Sequence, residues 1–155
     1  MATWGEFAEA RPEMAGVLLG LLEWIPIAYL ATVRRDGSPR VHPVCPIIGG
    51  GGMYVAVAGA TAPAPSPKRF DLARDGRYAL HALPGKRDDE FYVTGRARLI
   101  EDAATRRMVT DTAKHAIRAD DWVFELEIAY AMTAYWEQIG EPGTYPVRTE
   151  WRAGG

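Results

Sequence analysis

The 155-residue sequence predicts a mainly β protein in which antiparallel strands form a barrel and helices lie at its periphery. Three observations support this: apolar or alternating runs are short, turn signals separate them, and only a few segments have helical periodicity. Alternation is clearest in "EFYVTGRARLI", which puts Phe91, Val93, Ala97 and Leu99 on one face and Tyr92, Thr94, Arg96 and Arg98 on the other. Short strands with turn signals and helices at their ends are typical of an antiparallel barrel.

The bulk composition is that of a globular domain without a strong electrostatic field. Hydrophobic residues make up 48% of the chain and charged residues 25%, with a net charge of −2. This balance argues against nucleic acid and an anionic membrane as partners, so any bound anion must be held locally. A single cysteine, Cys45, excludes an internal disulfide and suggests a reducing, cytoplasmic location. With no repeat or linker, we expect one domain over residues 1–155, including an N-terminal helical region over residues 1–25.

The first predicted helix opens at Pro12, and its apolar face carries Met14, Val17, Leu18, Leu21 and Leu22. Only one charge, Glu23, interrupts residues 14–33, a stretch long enough to raise the question of a membrane span. Pro26 breaks the helix, and no basic segment of a signal peptide precedes it. We therefore expect a buried amphipathic helix that leads into a buried strand, "IAYLATV".

A hairpin follows, because Asp36-Gly37 lies between two β-rich runs. The returning run, "VHPVCPII", contains Pro43 and Pro46, which a central strand tolerates poorly. It is either an edge strand or one that leaves the ladder to face a bound molecule. Gly49–Gly52 form the next turn, "MYVAVAG" is a strand, and prolines keep "ATAPAPSP" extended.

The segment "SPKRFDLARDG" has cations at an unusual place. Ser66 is suited to cap a helix, Pro67 to occupy its first position, and Gly76 to end it. Lys68 and Arg69 then oppose the dipole at the helix N-terminus, which an anion at that end would explain. Ser66, Lys68 and Arg69 are therefore predicted to bind a phosphate. The alternative is that both cations are simply solvated.

Downstream, "RYALHAL" and "EFYVTGRARLI" are strands, and Asp102 caps a helix through "AATRRMVTDTAKHAI". The last predicted strand, "VFELEIAYAMTAYW", directs Phe124, Leu126, Ile128 and Tyr130 inward, and Glu125 and Glu127 into water. Trp136, Trp151 and Tyr145 lie in the C-terminal fifth of the chain, where we expect packing roles.

No catalytic side chain and no metal site are predicted. His42 and Cys45 are three residues apart on one strand and therefore point to opposite faces. His81 and His115 are expected to be structural or solvated, and no arrangement resembles a hydrolase triad.

Four segments resemble the pyridoxamine 5′-phosphate oxidase-like, FMN-binding split-barrel proteins, particularly their small actinobacterial-type members. These segments are "AYLATVRRDGSPRVHPV", "MYVAV", "SPKRFDLARDGRYALHAL" and "DDEFYVTGRARLIED". In the family, the positions matching Ser66, Lys68 and Leu72 lie at the cofactor phosphate. Two features depart from the pattern: Cys45 stands where many relatives have an aromatic residue, and the C-terminal arginine and histidine that bind pyridoxal phosphate are not recognisable.

The resemblance implies an antiparallel split β-barrel homodimer with a flavin in each of two grooves between the subunits. It places the second strand along the flavin ring, with Arg40, His42, Val44 and Cys45 as contacts, and it allows a C-terminal aromatic residue of the partner to cover the ring. FMN is the expected cofactor. A deazaflavin, whose acidic tail Arg34, Arg35 and Arg40 could meet, is the alternative.

The function implied is that of an FMN-binding oxidoreductase that transfers hydride to or from a small molecule of unknown identity. That chemistry requires no acid–base side chain. The alternatives are a deazaflavin-dependent reductase and a non-enzymatic flavin- or heme-binding carrier or sensor on the same fold.

Overall fold

A computed structural model describes residues Met1–Gly155 as one antiparallel sheet of eight strands with four helices. The helices are α1 (Trp4–Ala10), α2 (Pro12–Trp24), α3 (Lys68–Arg74) and α4 (Ala103–Thr112). The strands are β1 (Ala28–Val33), β2 (Pro39–Val44), β3 (Ile47–Gly49), β4 (Gly52–Val57), β5 (Arg77–Ala82), β6 (Glu90–Leu99), β7 (Trp122–Glu137) and β8 (Tyr145–Arg152). The predicted fold class is confirmed.

The strand order is β2-β1-β5-β6-β7-β4-β3, and β8 also pairs with β7. The 16-residue β7 accommodates both neighbours, because its first half pairs with β4 and its second half with β8. β2 and β3 lie at the two ends of this order and do not pair with each other. The sheet therefore curls around a core but stays open between β2 and β3, which are separated only by Cys45 and Pro46.

The main core fills the concave side of the sheet, and α1 and α2 cover one end of it. Its largest members include Phe91, Phe124, Leu126 and Ile128 from the strands and Phe7, Met14 and Leu18 from the helices. Trp151 packs on Phe7, with ring centroids 5.1 Å apart. A smaller core forms where α4 covers the β3–β4 hairpin and consists of Ile47, Tyr54, Ile100, Val109 and Val123.

The predicted turns and the predicted edge strand are confirmed. Gly37 joins β1 to β2 with a φ of +85°, and Gly50 and Gly51 join β3 to β4 with φ values of +56° and +78°. Glycine adopts these angles without the strain that a Cβ would cause. β2 is an edge strand paired only with β1. None of the helices has the length and apolarity needed to cross a membrane.

Several sequence expectations were wrong. Tyr130 faces away from the core, because the β6–β7 register shifts between Thr94 and Gly95 and skips Ala129, which reverses the alternation of β7. Glu125 is buried rather than solvated, and Arg98 pairs with it. α4 ends at Thr112, five residues before the end of its predicted segment. α1 lies within the expected N-terminal helical region but was not predicted as a separate helix, and β8 was not predicted.

Candidate functional site

Asp71 of α3 links the helix to the open edge of the sheet. Its Oδ2 accepts hydrogen bonds from Arg40 Nε of β2 at 2.7 Å and from Thr32 Oγ1 of β1 at 3.1 Å. Arg74 lies 3.7 Å from its other oxygen. Asp71 is only 5% exposed, so these contacts fix both the helix and the Arg40 side chain. Arg40 is therefore held beside the first turn of α3.

Lys68 occupies that first turn and is half-buried, yet its ammonium forms no hydrogen bond or ion pair within the chain. Burial and the neighbouring Arg40 charge both lower the pKa of Lys68. Burial also lowers the pKa of His42 on β2, and the charges of Lys68, Arg40 and Arg34 lower it further. Arg40, His42 and Lys68, which we call the cationic cluster, therefore lie close enough for their charges to interact. Asp71 pairs with Arg40 and thereby neutralises part of the positive charge of the cluster. It makes no hydrogen bond or ion pair with Lys68.

Ser66 and Arg69 occupy different places from those predicted. The N-cap of α3 is Pro67 rather than Ser66, and no side chain caps the helix. Arg69 is buried, its guanidinium donates hydrogen bonds to the carbonyl oxygens of Ser66 at 2.8 Å and Ala58 at 3.2 Å, and it also lies over the Phe70 ring. The Arg69 side chain therefore points into the β4–α3 loop instead of joining Lys68. Gly76 follows the helix with a φ of +73°, as expected for a residue that ends it.

The β4–α3 loop, residues 58–67, is fixed at several points. The Gly59 amide donates to Asp121 Oδ1 at 2.9 Å, and Thr61 bonds to Asp120 through both its amide and its hydroxyl. The Ser66 amide donates to the Ala58 carbonyl at 3.1 Å, which closes the loop at its base. Together with the Arg69 contacts, these bonds hold the segment that presents Lys68.

β2 arranges the remaining predicted contacts in a line. Arg40, His42 and Val44 pair with Thr32, Leu30 and Ala28, so all three lie on the core-facing side of the sheet at its open edge. Cys45 follows directly, about 17 Å along the strand from Arg40 at a rise of about 3.3 Å per residue. The Cys45 thiol is exposed and lines a cavity of about 500 Å³ at the open corner between β2 and β3. The structure thus brings Arg40, His42 and Lys68 together and leaves Cys45 at the far end of the strand.

Asp71 and Thr32 were missed by reasoning from the sequence. A signal for Asp71 was available, because Lys68, Asp71 and Leu72 have the i, i+3, i+4 spacing of one helix face. Leu72 is 2% exposed, so the face that anchors α3 in the core also carries Asp71 and Lys68 to the sheet. Thr32 gives no such signal, because a single threonine in the largely apolar β1 strand does not indicate a polar partner.

Comparison with known proteins identifies the fold. A heme binding protein from Mycobacterium smegmatis matches 90% of this chain with a TM-score of 0.62 and 20% sequence identity. A protein from Clostridium acetobutylicum related to general stress protein 26, of the pyridoxinephosphate oxidase family, has a TM-score of 0.62 at 11% identity, covering 91% of this chain and 96% of its own. The chain has the split-barrel fold of these proteins.

A NimC/NimA family protein, also from Clostridium acetobutylicum, has the same split barrel, with a TM-score of 0.59, 14% identity and coverage of 84% of this chain and 90% of its own. The chain spans only 58% of the length of the mycobacterial protein. No family model and no curated protein matches the sequence. These likenesses establish the split barrel as the fold.

Proposed function

We propose that the chain binds FMN in the manner of a flavin-dependent oxidoreductase, with the cofactor phosphate at the cationic cluster and the ring along β2. The observation that carries the proposal is the half-buried Lys68 ammonium, which has no partner in the chain and lies beside Arg40 and His42. A phosphate is negatively charged and would compensate the positive charge of the cluster. It also accepts hydrogen bonds from ammonium, guanidinium and imidazolium groups.

The chain's own residues would bind and orient the cofactor rather than exchange protons with a substrate. A bound flavin supplies hydride transfer, which needs no acid–base side chain from the protein. β2 contributes an unpaired edge, whose free backbone groups can meet the polar rim of a flat heterocycle. Asp71 keeps Arg40 beside Lys68 at one end of that edge. The substrate is a small molecule whose identity is left open.

The test is a comparison of FMN and riboflavin, which differ only in the phosphate. Replacing Lys68 with alanine should weaken FMN binding by about 1.5–3 kcal/mol, the usual value of a hydrogen bond to a charged group. Riboflavin should bind weakly to both proteins and with nearly equal affinity. Fluorescence titration of each flavin measures both effects.

Arg107→Ala is the matched control, because Arg107 is an exposed cation on α4 whose Asp111 partner is 3.9 Å away. It removes one positive charge and should leave FMN affinity unchanged. Equal losses for FMN and riboflavin in Lys68→Ala, or no loss for FMN, would show that Lys68 does not bind the phosphate.

A deazaflavin is the alternative flavin, and the β1–β2 hairpin is the feature that favours it. Arg34 and Arg35 are exposed there, and Arg34 is close enough to His42 to lower its pKa. A long acidic tail could extend from the cationic cluster toward these arginines. Competition between FMN and a deazaflavin cofactor for the same protein distinguishes the two, and Arg34→Ala should weaken only the deazaflavin.

The proposed assembly is a homodimer that forms through the convex face of the sheet. Strand register aligns two cross-strand rows there: Pro43, Tyr29, His81, Tyr92 and Met132 in one, and Val41, Ala31, Ala79, Thr94 and Tyr130 in the other. None of these side chains belongs to either core, and Tyr29 and Val41 are 48% and 58% exposed. We call these two rows the outer sheet face.

A second copy of the chain fits this face in size and chemistry. The two rows cross five strands, which at a spacing of about 4.8 Å span about 19 Å. A largely apolar and aromatic surface of that width is suited to the centre of an interface between two copies of the chain. The face continues to β2, so a partner there would lie next to the proposed cofactor site.

A heme-binding carrier is the second candidate function, and the cavity at the open corner favours it. This cavity of about 500 Å³ is lined largely by apolar residues, including Leu19, Leu22 and Ile48. Cys45 and His115 also line it, and thiolate and imidazole are both axial ligands of heme iron. One similar structure is that of a heme binding protein.

Heme titration followed by absorption spectroscopy tests this candidate. If the corner cavity holds heme, Cys45→Ser or His115→Ala should shift or abolish the Soret band, whereas Lys68→Ala should not. An unchanged spectrum in both corner variants would place any heme elsewhere. The same variants should leave the difference in affinity between FMN and riboflavin unchanged, so the flavin-binding and heme-binding functions can be distinguished.

A further inference from the structure

A cavity larger than the one at the open corner lies away from the cationic cluster. It has a volume of about 690 Å³ and is enclosed by α2, the β5–β6 loop and the second half of β7. This volume falls within the ~300–1,000 Å³ range of small-molecule sites. We call it the α2–β7 cleft. α3 and the cationic cluster contribute none of its lining, so it is separate from the proposed phosphate site.

One wall of the cleft is an exposed aromatic surface. Trp24, at the end of α2, is 54% exposed, and the Lys86 Nζ lies 4.1 Å from its ring centroid. Trp136 and Tyr135 line the β7 side. The wall therefore offers a flat face on which a planar ring can stack in place of the lysine.

The helix side of the cleft is recessed. Gly16 and Gly20 are one helical turn apart on α2, and a Cβ at either position would meet no atom within 4 Å. Glycine weakens a helix relative to alanine, and no packing contact requires it at these two sites. Both residues line the cleft, so their lack of side chains deepens it.

The rim of the cleft combines free cations with acceptors. The β5–β6 loop is closed by hydrogen bonds from the Gly85 amide to the Asp89 carbonyl and from the Asp88 amide to the Gly85 carbonyl. Its tip presents Lys86 and Arg87, neither of which forms an ion pair. Asp89 and Glu137 line the same cleft and supply carboxylate acceptors.

We propose that the α2–β7 cleft is a nucleotide site, in which the base stacks on Trp24 and the phosphate is bound by Lys86 and Arg87. A nucleotide combines the three groups that the lining complements. Its planar base meets the aromatic wall, its phosphate meets the adjacent cations, and its ribose hydroxyls can donate to Asp89 or Glu137. The recess at Gly16 and Gly20 gives the base access to the inner edge of Trp24.

The test is calorimetric titration with AMP, adenosine and inorganic phosphate. AMP should bind more tightly than either fragment, because it alone engages both the aromatic wall and the cations. Trp24→Ala and the double variant Lys86→Ala with Arg87→Ala should each weaken AMP at least tenfold. Gly20→Leu, which fills the recess with a residue that favours a helix, should abolish binding.

Two controls separate this site from its surroundings and from the cofactor site. Leu19→Ala alters a side chain of the same helix that is 48% exposed and outside the cleft, and it should leave AMP affinity unchanged. Lys68→Ala should also have no effect on AMP. The proposal is overturned if AMP shows no saturable binding at millimolar concentration, if binding survives Gly20→Leu, or if it is lost in Lys68→Ala.

Discussion

At the scale of single residues, the cationic cluster depends on a carboxylate that would itself repel an anion. Asp71 is buried between Arg40 and Arg74 and accepts a hydrogen bond from Thr32. A buried carboxylate is tolerated only when its charge is paired and its lone pairs are used. These contacts involve both carboxylate oxygens of Asp71. Asp71 therefore positions Arg40, but it does not neutralise the charge of Lys68. The site thus gains a defined geometry without losing its net positive potential.

The cluster should make the ligand-free protein sensitive to acid through His42. Its pKa is lowered from the ordinary value of 6.5 by burial and by nearby cations. Between the lowered pKa and 6.5 the unfolded chain binds more protons, so the free energy of unfolding falls as the pH drops through this window. His42→Gln removes this contribution and should gain stability relative to the original protein at pH 5.5 but not at pH 7.5.

Urea unfolding at the two pH values measures the difference in the free energy of unfolding between the two proteins. Added inorganic phosphate or FMN should reduce it, because an anion beside His42 favours the imidazolium. A difference that is the same at both pH values would mean that His42 does not experience the charge of Lys68 and Arg40.

The residue types of the site could be predicted from the sequence, but their partners could not. Lys68 and Arg40 were identified from a helix start with misplaced cations and from a family motif. Arg69 has the same charge as Lys68 and adjoins it, yet it bonds to loop carbonyls because it lies on another side of a short helix. Which neighbouring cation faces the site depends on the rotation of the helix about its axis, which is fixed by the burial of Leu72.

At the scale of secondary structure, the bulge in β7 decides which side chains face the core. Beyond Ala129 the alternation reverses, so Tyr130 and Met132 move to the outer sheet face and Ala131 enters the core. Gly95 lies opposite this point on β6, and a Cβ there would overlap the carbonyl oxygen of Glu127. The two strands can approach each other this closely only with glycine at position 95.

Gly95→Ala should therefore lower the free energy of unfolding by about 3 kcal/mol, at the upper end of the usual cost of overpacking. Urea unfolding provides the measurement. Gly16→Ala is the control, since its Cβ meets no atom within 4 Å and alanine favours the helix, so it should raise stability by about 0.5–1 kcal/mol. If the two variants have similar stabilities, the close approach at Gly95 is not what shapes the bulge.

The strand pattern was readable from the sequence up to this bulge and not beyond it. Phe91, Val93, Ala97 and Leu99 face the core as the alternation predicts, because β6 contains no inserted residue. The inserted Ala129 has no marker of its own in "IAYAMTAYW". β8 was missed because "TYPVRTEWR" is short and mostly polar, and it becomes a strand by pairing with the free half of β7.

At the scale of the whole molecule, the open sheet and the outer sheet face suggest a dimer. Tyr92 lies 6.2 Å from Tyr130 and 6.1 Å from His81, so the convex surface carries a continuous aromatic strip. Large apolar strips of this kind on a single chain mark surfaces of interaction. The convex face of the split barrel is therefore expected to be covered in solution.

Sedimentation analysis should give twice the 17.1 kDa mass of one chain at micromolar concentration. Val41→Glu should convert it to the monomer, because a charge buried in an apolar interface is costly when unpaired. Val41 is 58% exposed in one chain, so the substitution should not unfold it. Ala104→Glu on the exposed side of α4 is the control and should remain dimeric. A monomeric original protein, or a dimeric Val41→Glu variant, would contradict the interface.

The bonds that tie down the β4–α3 loop have a kinetic consequence. The loop carries Pro63, Pro65 and Pro67 and is fastened to Asp120, Asp121 and Arg69 before any ligand arrives. A segment that is already ordered pays little entropy on association and needs no slow rearrangement. In stopped-flow mixing, the observed rate of FMN binding should rise linearly with FMN concentration and not reach a plateau. Asp120→Ala, which releases Thr61, should introduce a plateau while leaving Lys68 in place, so the arrival of the ligand would then wait on the loop.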